Sequence, residues 1–190
     1  MTGTGSGSDP VTRRGVLPPL GPRGEGWVGI QVAIELGALL LAMRTGGTWS
    51  EPAHTLALVL GVAGAAGGVA LFAIGARTLG PSFSIWVRPH ETATLVTSGP
   101  YRYLRHPVCT AQILLILGWS LAWHSLPGLV AGLFAAWYLD RFKLAREEEW
   151  LDEHYPAYAA YRDRVRHRML PVPPALDRGR PVAGAGHRPG

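Results

Sequence analysis

Apolar residues along this chain gather in three long blocks rather than in the short alternating or amphipathic stretches of a water-soluble fold. Residues 27–43 hold one acid, Glu35, and no base; 53–76 hold no formal charge; 108–139 hold none apart from the titratable His124. A bilayer core about 30 Å thick needs roughly 20 apolar residues at 1.5 Å each, which the second block supplies outright. The third, 32 residues long, would make a helix of about 48 Å, too long for one crossing. Leu126-Pro127-Gly128 interrupts it near its middle, so the pattern predicts a helical hairpin whose arms continue into their flanks. The expected fold is all-α: a polytopic membrane bundle of about four transmembrane helices, including a C-terminal hairpin, plus a cytosolic C-terminal helix.

The basic residues orient this bundle. Lys and Arg number three before Trp27, one in 44–52, four in 77–107, none in the hairpin turn and ten after Asp140. The positive-inside rule then places both termini and the 77–107 loop in the cytoplasm, with four crossings. A formal charge of +5 follows from this bias and a basic tail, and calls for no nucleic acid. The first 26 residues are polar and rich in Gly, Ser and Pro, without the apolar core of a cleaved signal peptide. The expected organisation is a disordered cytosolic N-terminus (1–26), two transmembrane helices (27–76), a catalytic region (77–171) and a disordered tail (172–190). The single cysteine, Cys109, excludes an internal disulfide and a Cys-based metal cluster. One lysine against seventeen arginines suits a GC-rich bacterial source and hence a bacterial plasma membrane.

Within the first half, Gly61, Gly64, Ala65 and Gly68 recur at three- and four-residue spacing, which lets another helix approach closely. Glu35 is the one formal charge in a span, with Gln31 one turn before it on the same face. Two readings stay open for it: a functional acid facing the bundle interior, or a polar interhelical contact.

Chemistry concentrates in the second half. Gly99-Pro100 signals a turn and Pro107 suits the first turn of the third span. The intervening Arg102, Arg105 and His106 then sit at a helix N-terminus on the membrane face, where they form either an anion site or a set of interfacial anchors. After the fourth span, Lys143 and Glu147 lie one turn apart and can pair. The run Glu147-Glu148-Glu149 reads as a solvated helix face, or as one or two carboxylates turned back to hold a cationic ligand group. Beyond it, 155–162 and 165–171 suggest a short amphipathic helix with Tyr158 and Tyr161 on one face, capping the site or lying on the membrane. His154 has too few neighbouring ligands for a metal site, so no metal is expected.

The run LVTSGPYRYLRHP, an apolar hairpin, REEEWL, YPAYAAYRDRV and a closing Pro171 together resemble the isoprenylcysteine carboxyl methyltransferase family and its bacterial relatives, a group that includes phospholipid methyltransferases. The resemblance covers about 94–171. It implies a multispan enzyme that takes a methyl group from S-adenosylmethionine, held in a cytosol-facing pocket built from the hairpin and the C-terminal helices. Carried over by motif, the cofactor contacts are Thr94, Leu95, Val96, Tyr101, His106, Pro107 and Glu147, with Arg105 an adjacent donor. A carboxylate of the ligand suits His106 or that donor, an ammonium suits Glu147, and an adenine suits Tyr101 and aliphatic packing.

Two departures bear on the acceptor. Cys109 stands where many members carry a tyrosine, and Lys143 matches their substrate-side arginine, with Arg141 and Arg146 nearby as substitutes. Lysine keeps the charge but loses the bidentate fork. The expected acceptor is a lipophilic small molecule or lipid bearing a carboxylate, amine or hydroxyl; the last two need a base, for which Glu148 and His106 are the candidates. The competing readings are a sterol-type membrane reductase using NADPH, which shares an RHP segment, and a non-catalytic scaffold holding anionic lipid.

Overall fold

The computed structural model describes residues 20–88 and 93–169. The expected N-terminal stretch up to residue 19, the closing Pro171 and the tail 172–190 lie outside the described residues.

Among the described residues six α-helices follow one another: α1 (Glu25–Arg44), α2 (Ala53–Leu79), α3 (Pro107–Ala122), α4 (Leu126–Tyr138), α5 (Leu144–His154) and α6 (Tyr158–Arg164). Among the described residues there is no strand. Helices are the form in which long apolar segments satisfy their own backbone polar groups away from water. By length and composition α1 and the stretch Ala53–Ser82 suffice to cross a membrane; α3 is shorter, at 16 residues.

The hairpin forms as expected, but its break lies one step earlier. α3 stops at Ala122, His124 takes a left-handed φ of 55°, and Pro127 sits in the first turn of α4 rather than in the bend. Ser125 caps α4, its hydroxyl accepting from the Gly128 amide at 2.9 Å, which satisfies one of the helix's free donors. At the other end α4 does not stop. It passes through a π turn, Leu139–Lys143, straight into α5, a local widening typical of functional positions.

The small residues of α2 do what their spacing predicts. A Cβ added at Gly68 would lie 2.7 Å from the Ala111 carbonyl, and one at Gly118 of α3 would lie 2.7 Å from the Gly61 carbonyl. The α2 and α3 backbones are therefore in contact, with no room for side chains between them. α1 closes the other side. Its Ala38 packs with Ile113, Ile116, Ala135 and Leu139, Trp27 stacks on Phe142 (centroids 6.1 Å apart) and its carbonyl accepts from the Tyr138 hydroxyl at 3.1 Å. What faces outward is apolar: Leu40 and Leu56, Val69 of α2 and Val130 and Leu133 of α4 are each more than half exposed. Such a surface belongs against lipid rather than water.

Helix direction alternates, so the start of α1, the end of α2, the start of α3 and the end of α4 gather at one end of the bundle. α5, α6 and the segment after them pack there too. The residues after α6 leave the helical path: Val165–Met169 runs non-helical back across the bundle end, where an amphipathic helix was expected to continue.

Candidate functional site

That crossing segment clamps the start of α3. The backbone amides of Arg105 and His106 donate to the carbonyls of His167 (3.0 Å) and Arg168 (2.9 Å), and the Thr110 hydroxyl donates to the Met169 carbonyl (2.6 Å). Gly99, at φ +56°, makes the tight turn that brings the chain to this point. The 3-10 turn Gly99–Arg102 follows, and the Tyr161 hydroxyl bonds to the Tyr101 carbonyl at 2.8 Å.

Inside the clamp lies a buried charge network. Glu148, 5% exposed, accepts from Arg105 Nε at 2.9 Å and Arg168 at 2.6 Å, and lies 3.2 Å from His106 Nε2. Glu147 faces the other ring nitrogen of His106 at 3.5 Å and the Lys143 ammonium at 2.9 Å. Arg168 reaches on to Asp140 at 3.2 Å, and Lys143 lies 3.7 Å from the Cys109 sulfur. Two of the three consecutive acids thus turn inward. Glu149, the third, faces out and pairs with Arg146 at 2.7 Å.

The charge states follow from these partners. Burial raises the Glu147 pKa, but Lys143 and His106 outweigh it and hold the carboxyl at about 2. Glu148 is held lower still: burial opposes its charge, and His106 and Arg168 overcome that. For His106 burial acts against the imidazolium, while Glu147 and Glu148 together lift its pKa above the ordinary value. Both acids are therefore firmly ionised and His106 favours its charged form. This argues against Glu148 or His106 as the general base expected from the sequence, since one holds little proton affinity near neutrality and the other's charged form is favoured by its two carboxylate partners.

A cleft opens beside the network. Its walls include Thr94, Leu95, Val96, Arg105, His106 and Glu147, together with Leu151, Tyr155 and Tyr158. Its cavity volume is about 90 Å³, enough for one end of a small ligand. The Tyr155 hydroxyl donates to the Ala93 carbonyl at 2.7 Å, tying the 93–96 wall to α5.

Six of the eight residues expected around a cofactor thus line one cleft. Tyr101 and Pro107 do not: both are buried against α2, where the Tyr101 hydroxyl and the Pro107 ring each approach a Cβ position at Gly75 to 3.9 Å. Arg102 is exposed and stands apart from the network, so the anion site imagined with Arg105 and His106 does not include it. Arg141 is likewise exposed, and Arg146 is engaged with Glu149; neither lines the cleft, because the inward side is taken by Lys143 of the π turn and by Glu147 and Glu148 of α5. Arg168 was missed. Its only signal was its place in a basic run, indistinguishable from interfacial anchoring. Among the described residues no three of His, Cys, Asp and Glu come together as a metal-binding group.

An all-helical bundle with membrane-length apolar helices, and a buried ionic network opening to a cleft at one end, is the architecture of a membrane protein with a built polar site. The chain belongs to the phospholipid methyltransferase family, which it matches over residues 56–158, from the first turn of α2 to the start of α6. The match leaves α1 and the clamp after α6 outside it. The chain is also similar to the cobalt-zinc-cadmium resistance protein CzcN of Cupriavidus metallidurans, with 32% identity over 139 residues. That alignment covers 72% of this chain and 58% of the relative, so the chain spans somewhat over half the length of the relative it matches.

Proposed function

We propose that this protein is an integral membrane methyltransferase that uses S-adenosylmethionine and methylates a lipophilic acceptor. One observation carries the reading. The start of α3 and the inward face of α5, some forty residues apart, bring Arg105, His106, Glu147 and Glu148 into a single network whose first three members line a cleft, inside a chain of the phospholipid methyltransferase family.

The residues present fit that cofactor. Glu147, at the cleft wall, is a fixed carboxylate suited to an ammonium; Arg105 and His106 present positive charge to a carboxylate; Leu95, Val96 and Leu151 offer an apolar wall for an aromatic base. When bound, S-adenosylmethionine supplies an electrophilic methyl group on a sulfonium. The protein's part is positional: Glu148 pins His106 and Arg105, the Val165–Met169 segment fixes the start of α3, and Lys143 orients Glu147. Since methyl transfer depends on holding the two reactants in line, rigid second partners of this kind are what the chemistry requires.

We also propose that α3 and α4 cross the bilayer with α1 and α2. The apolar outer face of α4 supports this, and its continuous run through the π turn gives the hairpin the added length. The arginine-rich end would then face the cytoplasm with both termini. The name of the CzcN relative ties that protein to metal resistance; the site here supports methyl transfer rather than metal binding by this chain.

Equilibrium binding to the purified protein in detergent or nanodiscs tests the reading. Saturable S-adenosylmethionine binding, weakened at least ten-fold by His106→Ala or Glu147→Ala in a folded variant, is the expected result. NADPH binding in its place would favour a reductase, and unchanged cofactor affinity in both variants would favour a scaffold.

A further inference from the structure

A second cavity lies outside this cleft, between α1, α2 and α3. It measures about 360 Å³, within the roughly 300–1,000 Å³ of small-molecule sites. Its walls are apolar, among them Val32, Leu39, Phe72 and Leu115, with two polar exceptions, Glu35 and Gln112. Those two are joined through Gln31, whose amide donates to Glu35 Oε1 at 3.0 Å and to Gln112 Oε1 at 3.2 Å. The other Glu35 oxygen accepts no hydrogen bond among the described residues. Gln31 and Glu35 belong to α1, the helix outside the family match.

We propose that this cavity holds the methyl acceptor, that Glu35 binds and deprotonates its head, and that the acceptor is a compact lipophilic alcohol, phenol or amine rather than a phospholipid. The inference rests on the methyltransferase reading above. Three observations carry it. The cavity opens between helices whose outer faces are apolar, so the occupant enters from lipid. Its inner polar group is an acid with one free oxygen, which selects a proton-donating head. No cation among the described residues lines it: a phosphate or carboxylate would be desolvated against Glu35 with no compensating charge in the wall, which low-dielectric surroundings penalise heavily. Lys143, the nearest ammonium within electrostatic reach of Glu35, is already committed to Glu147.

Lys143 links the two sites electrostatically: it lies within reach of Glu35 and pairs with Glu147 at the wall of the cofactor cleft. The acceptor's oxygen or nitrogen lone pair forms the new bond to the methyl carbon while the donor's carbon–sulfur bond breaks, leaving a neutral thioether. The proton lost by the acceptor passes to Glu35. This supplies the base that the fully ion-paired Glu148 and His106 do not.

Four probes test it, in phosphatidylcholine nanodiscs: dodecylamine, para-dodecylphenol, dodecanoate and a dodecyl-chain phosphatidylethanolamine. Binding is read by thermal shift without cofactor, and transfer by labelled S-adenosylmethionine. The amine or the phenol should bind and accept methyl, and which one does so distinguishes N- from O-transfer. Glu35→Gln should weaken its binding about 10- to 100-fold, as for loss of a hydrogen bond to a charged group, and flatten the acid limb of the pH–rate profile. Leu39→Trp, which fills the cavity, should abolish probe binding. Both variants should keep the wild-type affinity for S-adenosylmethionine, which also reports that they fold. Preferential binding of dodecanoate or the phospholipid, or unchanged probe affinity in both variants, overturns the proposal. A wild type that binds the probes but not S-adenosylmethionine overturns the methyltransferase reading and leaves the cavity assignment standing.

Discussion

Glu148→Gln is the sharpest perturbation of the charge network. The amide keeps the side chain's shape but presents one acceptor oxygen in place of two charged ones, leaving Arg105, Arg168 and His106 around a neutral group. Breaking a buried ion pair by removing one partner costs about 3–5 kcal/mol. Part of that is offset here, because Arg105 also donates to the carbonyls of Val165 (2.9 Å) and Arg166 (3.1 Å), and Arg168 keeps Asp140. A loss of about 3 kcal/mol is the working figure, or a fall of roughly 6–12 °C in melting temperature for a chain of this size.

The loss should be local as well as global. Glu148 and Asp140 together hold Arg168 against the bundle, and Arg168 sits in the segment whose carbonyls accept from the Arg105 and His106 amides. Hydrogen exchange at those two amides should therefore accelerate in Glu148→Gln before the α2–α3 interface loosens. Glu149→Gln is the control, since its pair with Arg146 is partly exposed and such pairs contribute about 0–1 kcal/mol. Equal melting temperatures and equal exchange in the two variants would refute the reasoning, because they would mean that Glu148 holds nothing its exposed neighbour does not.

Gly68→Val should destabilise by about 1–3 kcal/mol through overpacking, its side chain meeting the Ala111 carbonyl and the Leu115 backbone; Gly67→Val, with nothing within 4 Å of a Cβ, is the comparison, and similar melting temperatures would count against the close α2–α3 contact. The network also fixes a pH window. Glu147's contribution is present above about 4.5 and lost as pH falls toward about 2, while that of His106, whose pKa is raised, is present below about 6.5 and lost as pH climbs through its folded value. Thermal melts across pH should show stability falling on both sides, and a His106→Gln variant should lose the alkaline limb and shift the acid limb to higher pH, because Glu147 and Glu148 lose one of the groups that hold their pKa down.

The bundle was readable because its signals are local. Apolar blocks, the α2 glycines and the Lys143–Glu147 spacing each report on one turn or one helix and appear where expected, while the hairpin break falls before Pro127, at His124. The network was half readable. Local spacing brought Lys143 to Glu147, whereas the motif resemblance alone brought His106 to α5 across some forty residues. Arg168 had neither signal. Its role depends on Val165–Met169 abandoning the helix to cross the bundle end, and Val165 and Met169 show only that the segment has something to bury. Tyr101 and Pro107 failed in the opposite way: the motif named them, but their side chains serve the packing of α2 against the start of α3.

Lys143 pairs with Glu147 at the wall of the cleft, and its removal separates a structural from a ligand-directed role. Its ammonium is buried, bonded to Glu147 at 2.9 Å, so it is not free to receive an acceptor carboxylate as the sequence match to an arginine suggested. In Lys143→Met, Glu147 keeps only His106, at 3.5 Å, and stays buried beside an apolar chain. The ligand-free protein should lose about 3 kcal/mol, in line with a broken buried pair. If Glu147 receives the cofactor's ammonium, S-adenosylmethionine replaces the missing positive charge. Saturating ligand should then raise the melting temperature of Lys143→Met by several degrees more than that of wild type, since the ligand restores to the variant what wild type already has. An equal shift in both proteins would mean that Glu147 and Lys143 are only a structural pair, and that the ammonium is held elsewhere in the cleft.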